Sequence, residues 1–376
     1  MIDLQLLEVI ALSAPIVCAV TCLAMMLLDA EAQRKTSEER RLRLFLALTY
    51  VVTSLGWLGM VFYADNPRLF ASYYTVFLLT LMLDQVMIYR FVSLITNTGG
   101  QRKFNRVHLI VPLSITLVSL LCDICVPIER QVAVIYGHSG TQTDTGFRIM
   151  YVFTVVVFIV YNTLYPLLNL RKIRRYRRFI VDYSADAYRT SLGWLSVIQV
   201  LILISVPFPL AALLLGLHGS VSGFVVWFGA VPYFINYLIL CYNLLDNNYL
   251  IIQPDTPQAD DTSGSPAIPI DRKHFERYLR ERKPYLDSKL RVTDLAAGLN
   301  TNRSYLSAFI NQEYGMNFCR FINRCRLEEL DRLRISPVNA GKTNMDLLLM
   351  AGFSSYRCYM RAKNEEDKLK VLKVFE

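Results

Sequence analysis

The chain has 376 residues, 53% of them hydrophobic, with a formal net charge of +9 and a mean hydropathy of +0.32. Soluble globular proteins rarely combine such high apolarity with an excess of Lys and Arg. The composition therefore argues against a wholly soluble protein. The length leaves room for a membrane bundle of about 250 residues and a soluble domain of about 100.

Seven apolar segments are predicted to be membrane spans, because about 20 apolar residues cross the roughly 30 Å of hydrocarbon in a bilayer. The first segment has no basic region at its start and carries Asp3 and Glu8, so we interpret it as a retained span and not as a cleaved signal peptide. The seven segments lie at about 4–28, 44–64, 69–95, 107–126, 147–170, 192–217 and 221–245.

The distribution of basic residues predicts the orientation of these spans, since loops rich in Lys and Arg stay in the cytoplasm. The first, third and fifth loops carry 15 Lys and Arg residues, among them Arg43 and Arg177, and the alternate loops carry 3. The N-terminus is therefore expected outside and the C-terminal domain inside. The fifth loop is the most basic, and contact with lipid headgroups explains its charge better than a nucleic-acid patch does.

One acidic residue lies deep within a predicted span. Asp84 belongs to the third span, where an unpaired charge costs several kcal/mol. It therefore needs a partner from another span or a water-filled cavity, and Asn162, Asn169 and Asn236 are candidate partners. A structural interhelical hydrogen bond is the favoured role, and a possible sensor role for Asp84 remains the alternative.

The sequence offers little that indicates catalysis. Cys122 and Cys125 have the spacing of a redox motif, but they lie in an apolar span and lack the strand-to-helix context of that motif. The segment Gly341-Lys342-Thr343 lacks the earlier glycine of a phosphate-binding loop. The histidines have no metal-ligand spacing. We therefore predict that the protein is not an enzyme and has no metal site and no cofactor.

Residues 251–271 are predicted to form a flexible linker, because they are rich in Pro, Asp, Ser, Thr and Gly. Beyond the linker, residues 272–363 carry 18 Lys and Arg against 9 Asp and Glu, a net charge of +9. Such a balance suits a surface that contacts phosphates, although charge alone also describes an ordinary basic surface.

A first helix-turn-helix unit is predicted at residues 292–314. Val292 to Leu299 forms a short helix, Asn300 takes the left-handed conformation, and Asn302 caps a second helix. This second helix, Arg303 to Tyr314, is expected to read the major groove of DNA and to bury Tyr305, Leu306, Phe309 and Ile310. The candidate DNA-binding residues on its outer face are Asn302, Arg303, Ser304, Ser307, Ala308 and Asn311.

A second unit follows the helix from Phe318 to Arg334. Met345 to Met350 is predicted to be its supporting helix, Ala351 to Ser354 its turn, and Ser355 to about Lys363 its reading helix. Two reading helices in one chain can enter successive major-groove faces about one turn apart. The candidate DNA-binding residues of the second unit are Tyr356, Arg357, Met360 and Arg361.

At these residues the chain resembles the AraC/XylS family of bacterial transcription regulators. The resemblance covers roughly residues 272–362, and it implies sequence-specific control of transcription in which both reading helices contact bases. The matching features are Leu295-Ala296, Tyr305-Leu306-Ser307, the Gly315 to Phe318 turn, Arg326-Leu327-Glu328-Glu329 and, above all, Ala351-Gly352-Phe353-Ser354-Ser355-Tyr356.

The chain departs from the family's pattern in the second unit. Leu330 and Leu348 stand where the family has small residues, and overpacking is the expected consequence. A charged tail replaces the usual closing segment, and Lys363 occupies an apolar core position. A loosely packed or inactive second unit is therefore one expectation.

Together these features predict an all-α protein: a seven-helix transmembrane bundle over 1–250, a linker over 251–271, and a soluble domain with two helix-turn-helix units over 272–376. We expect a membrane-tethered transcription regulator, multi-pass in the bacterial inner (cytoplasmic) membrane, with the bundle as sensor. Its expected partners are double-stranded DNA and membrane lipid, with RNA polymerase, an unknown signal ligand and a second copy in a homodimer as further candidates. The alternative is a membrane receptor or scaffold whose degenerate helix-turn-helix domain makes protein contacts.

Overall fold

The computed structural model describes residues 4–31, 36–98, 104–137, 144–187, 191–205, 229–250 and 270–374. Within these ranges the regular secondary structure is helical, apart from one isolated β-bridge between Ser184 and Arg291. The prediction of an all-α chain is therefore confirmed for the described residues.

The described residues before the linker form eight helices. The helix α5 was not expected from the sequence, and it ends at Gly137, whose φ of 68° is left-handed. The bounds are α1 Leu4–Glu31, α2 Ser37–Asp65, α3 Pro67–Ile95, α4 Val107–Cys125, α5 Ile128–Tyr136, α6 Thr145–Ile180, α7 Gly193–Ser205 and α8 Val231–Leu245.

Five of these helices are long and apolar enough to cross a membrane, with mean hydropathies from 1.6 to 2.3, and they indicate a membrane protein. The apolar helices α7 and α8 are shorter. They cover parts of the predicted sixth and seventh spans, whose remaining residues, 206–228, lie outside the described residues. The five long segments are Val9–Glu31, Ser37–Asp65, Pro67–Ile95, Val107–Cys125 and Thr145–Ile180.

Helix α4 shows how the bundle presents apolar side chains outward. Leu113, Leu117 and Leu121 recur every four residues and are more than half exposed, so they form a stripe along one face. A face of this kind is costly in water but suits the hydrocarbon of a bilayer.

The chain divides into two compact units. The membrane unit comprises residues 1–173 and 193–251, and the terminal unit comprises residues 174–192 and 252–376. The sequence placed the whole chain up to residue 250 in the membrane domain, whereas the structure groups the segment 174–192 with the C-terminal helices. The predicted linker residues 251–269 lie outside the part of the chain that the structure describes.

Besides the end of α6 at residues 174–180, the described residues of the terminal unit form six α-helices and two short 3₁₀ helices at Pro284–Leu286 and Pro337–Asn339. Helices are present where both units were predicted, but the last helix extends to Val374, well beyond the predicted end at about Lys363. Their bounds are α9 Arg272–Arg282, α10 Val292–Gly298, α11 Arg303–Tyr314, α12 Phe318–Ile335, α13 Asn344–Met350 and α14 Tyr356–Val374.

The second half of the terminal unit has a packed core, contrary to the expectation of loose packing. Leu330 and Leu348 are fully buried together with Phe353 and Tyr359. Lys363 is exposed, so its assignment to an apolar core position was wrong. Helix α14 buries Ala362, and Lys363 lies about 100° further round the helix, which turns its side chain to solvent.

Candidate nucleic-acid interface

The turn between α10 and α11 has the conformation that its asparagines predict. Asn300 has a φ of 51°, in the left-handed region. The side chain of Asn302 accepts a hydrogen bond of 2.9 Å from the Tyr305 N–H and caps α11. Gly315, with a φ of 63°, ends the helix. The predictions for Asn300 and Asn302 are confirmed.

The exposed face of α11 differs from the predicted one at three residues. Leu306 and Ile310 are buried and Phe309 is half-buried, but Tyr305 is 52% exposed, so its prediction as a core residue was wrong. The buried pair sets the inward direction, and Tyr305 lies about 100° from Leu306 around the helix. Of the predicted surface residues, Arg303 and Ser307 are half-buried, and the exposed ones are Asn302, Ser304, Ala308 and Asn311.

Helix α13 and the turn before α14 are fixed by side-chain caps and one glycine. Thr343 and Asp346 form a reciprocal capping box at the start of α13. Gly352 has a φ of 90°, and a Cβ there would overlap the main-chain oxygen of Tyr285 and approach the Cα of Leu286 to 2.8 Å. Only glycine fits this close approach of two backbone segments.

Helix α14 presents three of its four candidate DNA-binding residues to solvent. Tyr356, Arg357 and Arg361 are exposed, whereas Met360 is half-buried against the core of the second half. The Ser355 hydroxyl accepts a hydrogen bond of 3.3 Å from the Cys358 N–H and caps the helix start. The second unit therefore keeps an ordered, partly basic outer face.

Arg326 lies at the centre of a hydrogen-bond network in the terminal unit. Its side chain is 2% exposed, and burial lowers its pKa. The guanidinium donates to the carbonyl oxygens of Tyr285 at 2.8 Å, Asp287 at 2.8 Å and Ala185 at 3.2 Å, and to Asn323 Oδ1 at 3.2 Å. These bonds compensate for the cost of burying the charge.

The segment 176–187, here called the docking segment, packs into the terminal unit with its backbone. The Ala185 N–H donates to the Leu290 oxygen at 3.0 Å, and the Val292 N–H donates to the Tyr183 oxygen at 2.9 Å. The Cys319 N–H donates to the Val181 oxygen at 2.9 Å. The docking segment is therefore joined to α10 and α12 as part of the fold.

The docking segment also contacts the second half of the unit, through Asp186. The Ser354 hydroxyl donates to this carboxylate at 2.6 Å, and the Cys358 thiol lies 3.2 Å from its other oxygen. Burial raises the pKa of Cys358, which keeps its thiol protonated as a donor. One carboxylate thus fixes the turn between α13 and α14 against the docking segment.

Arg303, a candidate DNA-binding residue, lies against the aromatic rings of the docking segment. Its Cζ is 4.1 Å from the centroid of Phe179 and 5.3 Å from that of Tyr183. Burial raises the pKa of the neighbouring Asp182, and the positive charge of Arg303 opposes that increase. Sequence reasoning missed this contact, although the apolar residues Ile180, Tyr183 and Ala185 after the arginine run were a visible sign of a buried segment.

The surroundings of Asp84 in the membrane unit differ from the predicted ones. Asp84 is buried, and Gln85 Nε2 lies 3.5 Å from its carboxylate and donates to Asn162 Oδ1 at 3.1 Å. Asn169 instead donates to Gln199 at 2.9 Å. The amide of Asn236 is buried and has no hydrogen-bond partner among the described residues. None of the three predicted asparagines is therefore shown to bond Asp84 directly, and Gln85 lies between Asp84 and Asn162.

Arg43 is a buried residue that the sequence analysis assigned to a basic loop. It lies in α2, fully buried, and forms an ion pair with Asp29. It also donates to the hydroxyl of Tyr249 at 2.8 Å and to Asn247 Oδ1 at 3.0 Å. Arg43 therefore joins α1 and α2 to the chain that follows α8.

Together, α11 and α14 present guanidinium, amide and hydroxyl groups on their outer faces. Such groups donate to phosphate oxygens and to base edges in the grooves of DNA. Comparison with protein-family models, curated proteins and solved structures yields no match.

Proposed function

We propose that the chain is a membrane-tethered transcription regulator that binds specific DNA sequences with its terminal unit. The observation that carries the proposal is the paired arrangement of α11 and α14. Each follows a short helix and a tight turn and begins at a side-chain cap. Helix α11 exposes polar residues and holds a half-buried Arg303, and α14 exposes Arg357 and Arg361. Helices presented in this way suit the major groove.

The charge of the terminal unit supports the same function. Residues 272–363 carry a net charge of +9, and phosphate contacts by Lys and Arg supply much of the affinity of proteins for DNA. The resemblance to the AraC/XylS family falls on the turn at Gly352 and on Arg326, both of which have structural roles here.

The membrane unit is proposed to be the sensor. We infer seven spans with the N-terminus outside, since the basic loops then lie in the cytoplasm beside the terminal unit's DNA target. Asp84, Gln85 and Asn162 form a buried polar contact between α3 and α6, which is the proposed place for a signal to act.

DNA binding by the full chain in bilayer nanodiscs tests the proposal. The full chain is required because residues 174–192 belong to the terminal unit. We expect binding of labelled duplex DNA that weakens steeply with salt. If the guanidinium contacts a base, Arg303→Ala or Arg357→Ala should reduce the binding free energy for the preferred sequence by about 1–3 kcal/mol. If it contacts phosphate, the substitution should weaken binding to all DNA sequences alike.

Arg324→Ala is the matched control for these two substitutions. Arg324 is an exposed arginine on α12 that pairs with Glu328 at 3.4 Å, outside the proposed reading faces. Its replacement removes the same charge and should change binding less than either reading-face substitution. If all three substitutions weaken binding equally, the interaction with DNA depends on overall charge alone. If none of them changes binding at low salt, these helices do not contact DNA.

A protein-contact function is the second candidate, and two exposed apolar side chains favour it. Ile335 and Val338, at the end of α12 and in the following 3₁₀ helix, are 83% and 87% exposed. Exposed apolar groups are more useful in a protein interface than in a phosphate-contacting one. If the full chain binds no DNA, and Ile335→Ser with Val338→Ser abolishes its association with a second copy or another protein, this candidate replaces the first.

A further inference from the structure

The docking segment contacts the rest of the terminal unit in two ways, through a buried centre and through a half-buried edge. Its centre is anchored by backbone hydrogen bonds and by the buried residues Tyr183 and Ala185. At its edge, Phe179 and Arg303 are both only half-buried and meet ring to guanidinium. We therefore expect the contact between Phe179 and Arg303 to break more easily than the anchored part of the segment.

The docking segment contacts the half-buried side chain of Arg303. The rings of Phe179 and Tyr183 lie over its guanidinium at 4.1 and 5.3 Å, and the carboxylate of Asp182 stabilises its charge. Arg303 is also the first residue of α11, the end at which a reading helix contacts base edges. A phosphate or guanine that takes this guanidinium must replace those contacts.

We propose that the docking segment is a built-in competitor of DNA, which holds Arg303 through the rings of Phe179 and Tyr183 and lowers the affinity of α11 for DNA. The inference rests on the proposed DNA-binding function and adds its regulation. Phe179 lies in the last turn of α6, the helix that contains the fifth predicted span. A signal that shifts this end of α6 relative to Arg303 would change DNA affinity.

Phe179→Leu in the full chain is the direct test, because it removes the aromatic face but keeps an apolar side chain and the net charge. The assay uses nanodiscs of zwitterionic lipid, so that anionic headgroups do not compete, and a labelled mixed-sequence duplex at low ionic strength. A lost cation–π contact corresponds to an affinity that is about 2- to 30-fold higher. Phe104→Leu is the matched control, since Phe104 carries an equivalent contact with Arg90 at 5.0 Å in the membrane unit.

A double-substitution cycle assigns the effect to Arg303. In an Arg303→Ala background, Phe179→Leu should leave DNA affinity unchanged, because the competing contact no longer exists. Asp182→Asn should also tighten binding, and by more than Asp331→Asn, which removes an exposed carboxylate that pairs with Arg334 at 3.7 Å on α12.

The outcomes separate the inference from the function on which it rests. If the full chain binds DNA but Phe179→Leu leaves affinity unchanged or weakens it, the segment is structural or orients Arg303 for DNA, and competition is excluded. A gain that persists in the Arg303→Ala background excludes it as well. If neither the wild type nor any variant binds DNA, the proposed DNA-binding function is excluded, and competition by the docking segment is excluded with it.

Discussion

The guanidinium of Arg326 donates a hydrogen bond of 3.2 Å to the main-chain oxygen of Ala185, a residue 141 positions earlier in the chain. The same side chain binds the oxygens of Tyr285 and Asp287, each at 2.8 Å. A single buried arginine thus connects α12 to the docking segment and to the turn before α10. The fork of donors on a guanidinium is what makes three such bonds compatible.

Arg326→Leu should destabilise the terminal unit by about 3 kcal/mol or more, because the carbonyl oxygens left without a donor remain buried. Arg326→Lys should restore only part of this loss, since an ammonium group lacks the planar fork. Thermal unfolding of the full chain in nanodiscs measures the effect. Arg324→Leu on the same helix is the control, and its exposed pair with Glu328 should be worth less than about 1 kcal/mol. Equal shifts for both arginines would contradict a central role for Arg326.

Gly352→Ala should destabilise the second half of the terminal unit by at least about 2 kcal/mol. The left-handed φ of 90° is strained for alanine, and the added Cβ would meet the backbone of Tyr285 and Leu286. Hydrogen exchange of α13 and α14 reports the change. At Gly341 an added Cβ meets nothing within 4 Å, so Gly341→Ala should leave exchange nearly unchanged.

Asn302 combines a cap with a proposed DNA contact, and two substitutions separate these roles. Asn302→Ala should lower stability by about 1 kcal/mol through loss of the bond to the Tyr305 N–H. Asn302→Asp should keep the cap but weaken DNA binding about 3- to 10-fold, because its charge repels phosphate. DNA affinity that is unchanged in Asn302→Asp would show that the residue serves the helix alone.

Cys125 offers a direct test of the proposed topology. It is exposed at the end of α4, which is the outer end in the proposed orientation, while Cys319 and Cys358 are buried in the terminal unit. In cells carrying the Cys122→Ser variant, a membrane-impermeant maleimide should label Cys125 without permeabilisation. Burial raises the pKa of Cys319 to about 12, so that thiol should stay unmodified in the folded protein. Labelling that requires permeabilisation would reverse the proposed orientation.

Local features of the fold could be predicted because single residues determine them. Asn300 takes the left-handed conformation, Asn302 caps α11, and the start of α12 at Phe318 agrees with the expected position. These features depend on neighbours within a few residues. Turn residues and helical spacing in the sequence were therefore enough to predict these caps, turns and helix starts.

Long-range contacts were not predictable in the same way. From the sequence alone, Arg43 and Arg177 are predicted to be loop charges, since both lie in basic runs beside predicted spans. In the structure Arg43 is buried with Asp29 and Tyr249, and Arg177 donates to the Ser191 oxygen at 2.9 Å. Which partner such a residue meets depends on distant parts of the chain that share no local pattern.

The exposed residues of the candidate site could be predicted from the sequence, but the contact of Arg303 with the docking segment could not. Ser304, Arg357 and Arg361 are exposed as their helical positions indicated. The contact of Arg303 with Phe179 joins residues more than a hundred positions apart, and no periodicity in either segment signals it. The exposure of a residue on a helix follows from its local position, whereas the distant residue that contacts it does not.

The distance along the chain between Ala185 and Arg326 has a consequence for biosynthesis. A ribosome adds about 5–20 residues per second, so the 141 residues that separate this pair take roughly 7–30 s to emerge. During that interval the docking segment has left the ribosome and has no α10 or α12 to bind. Its tyrosines Tyr176 and Tyr183, which are buried in the folded protein, then lack the residues of the terminal unit that cover them. The nascent chain thus completes its terminal unit only after the described helices of the membrane unit have been synthesised, so under the proposed function DNA binding would follow synthesis of the membrane unit.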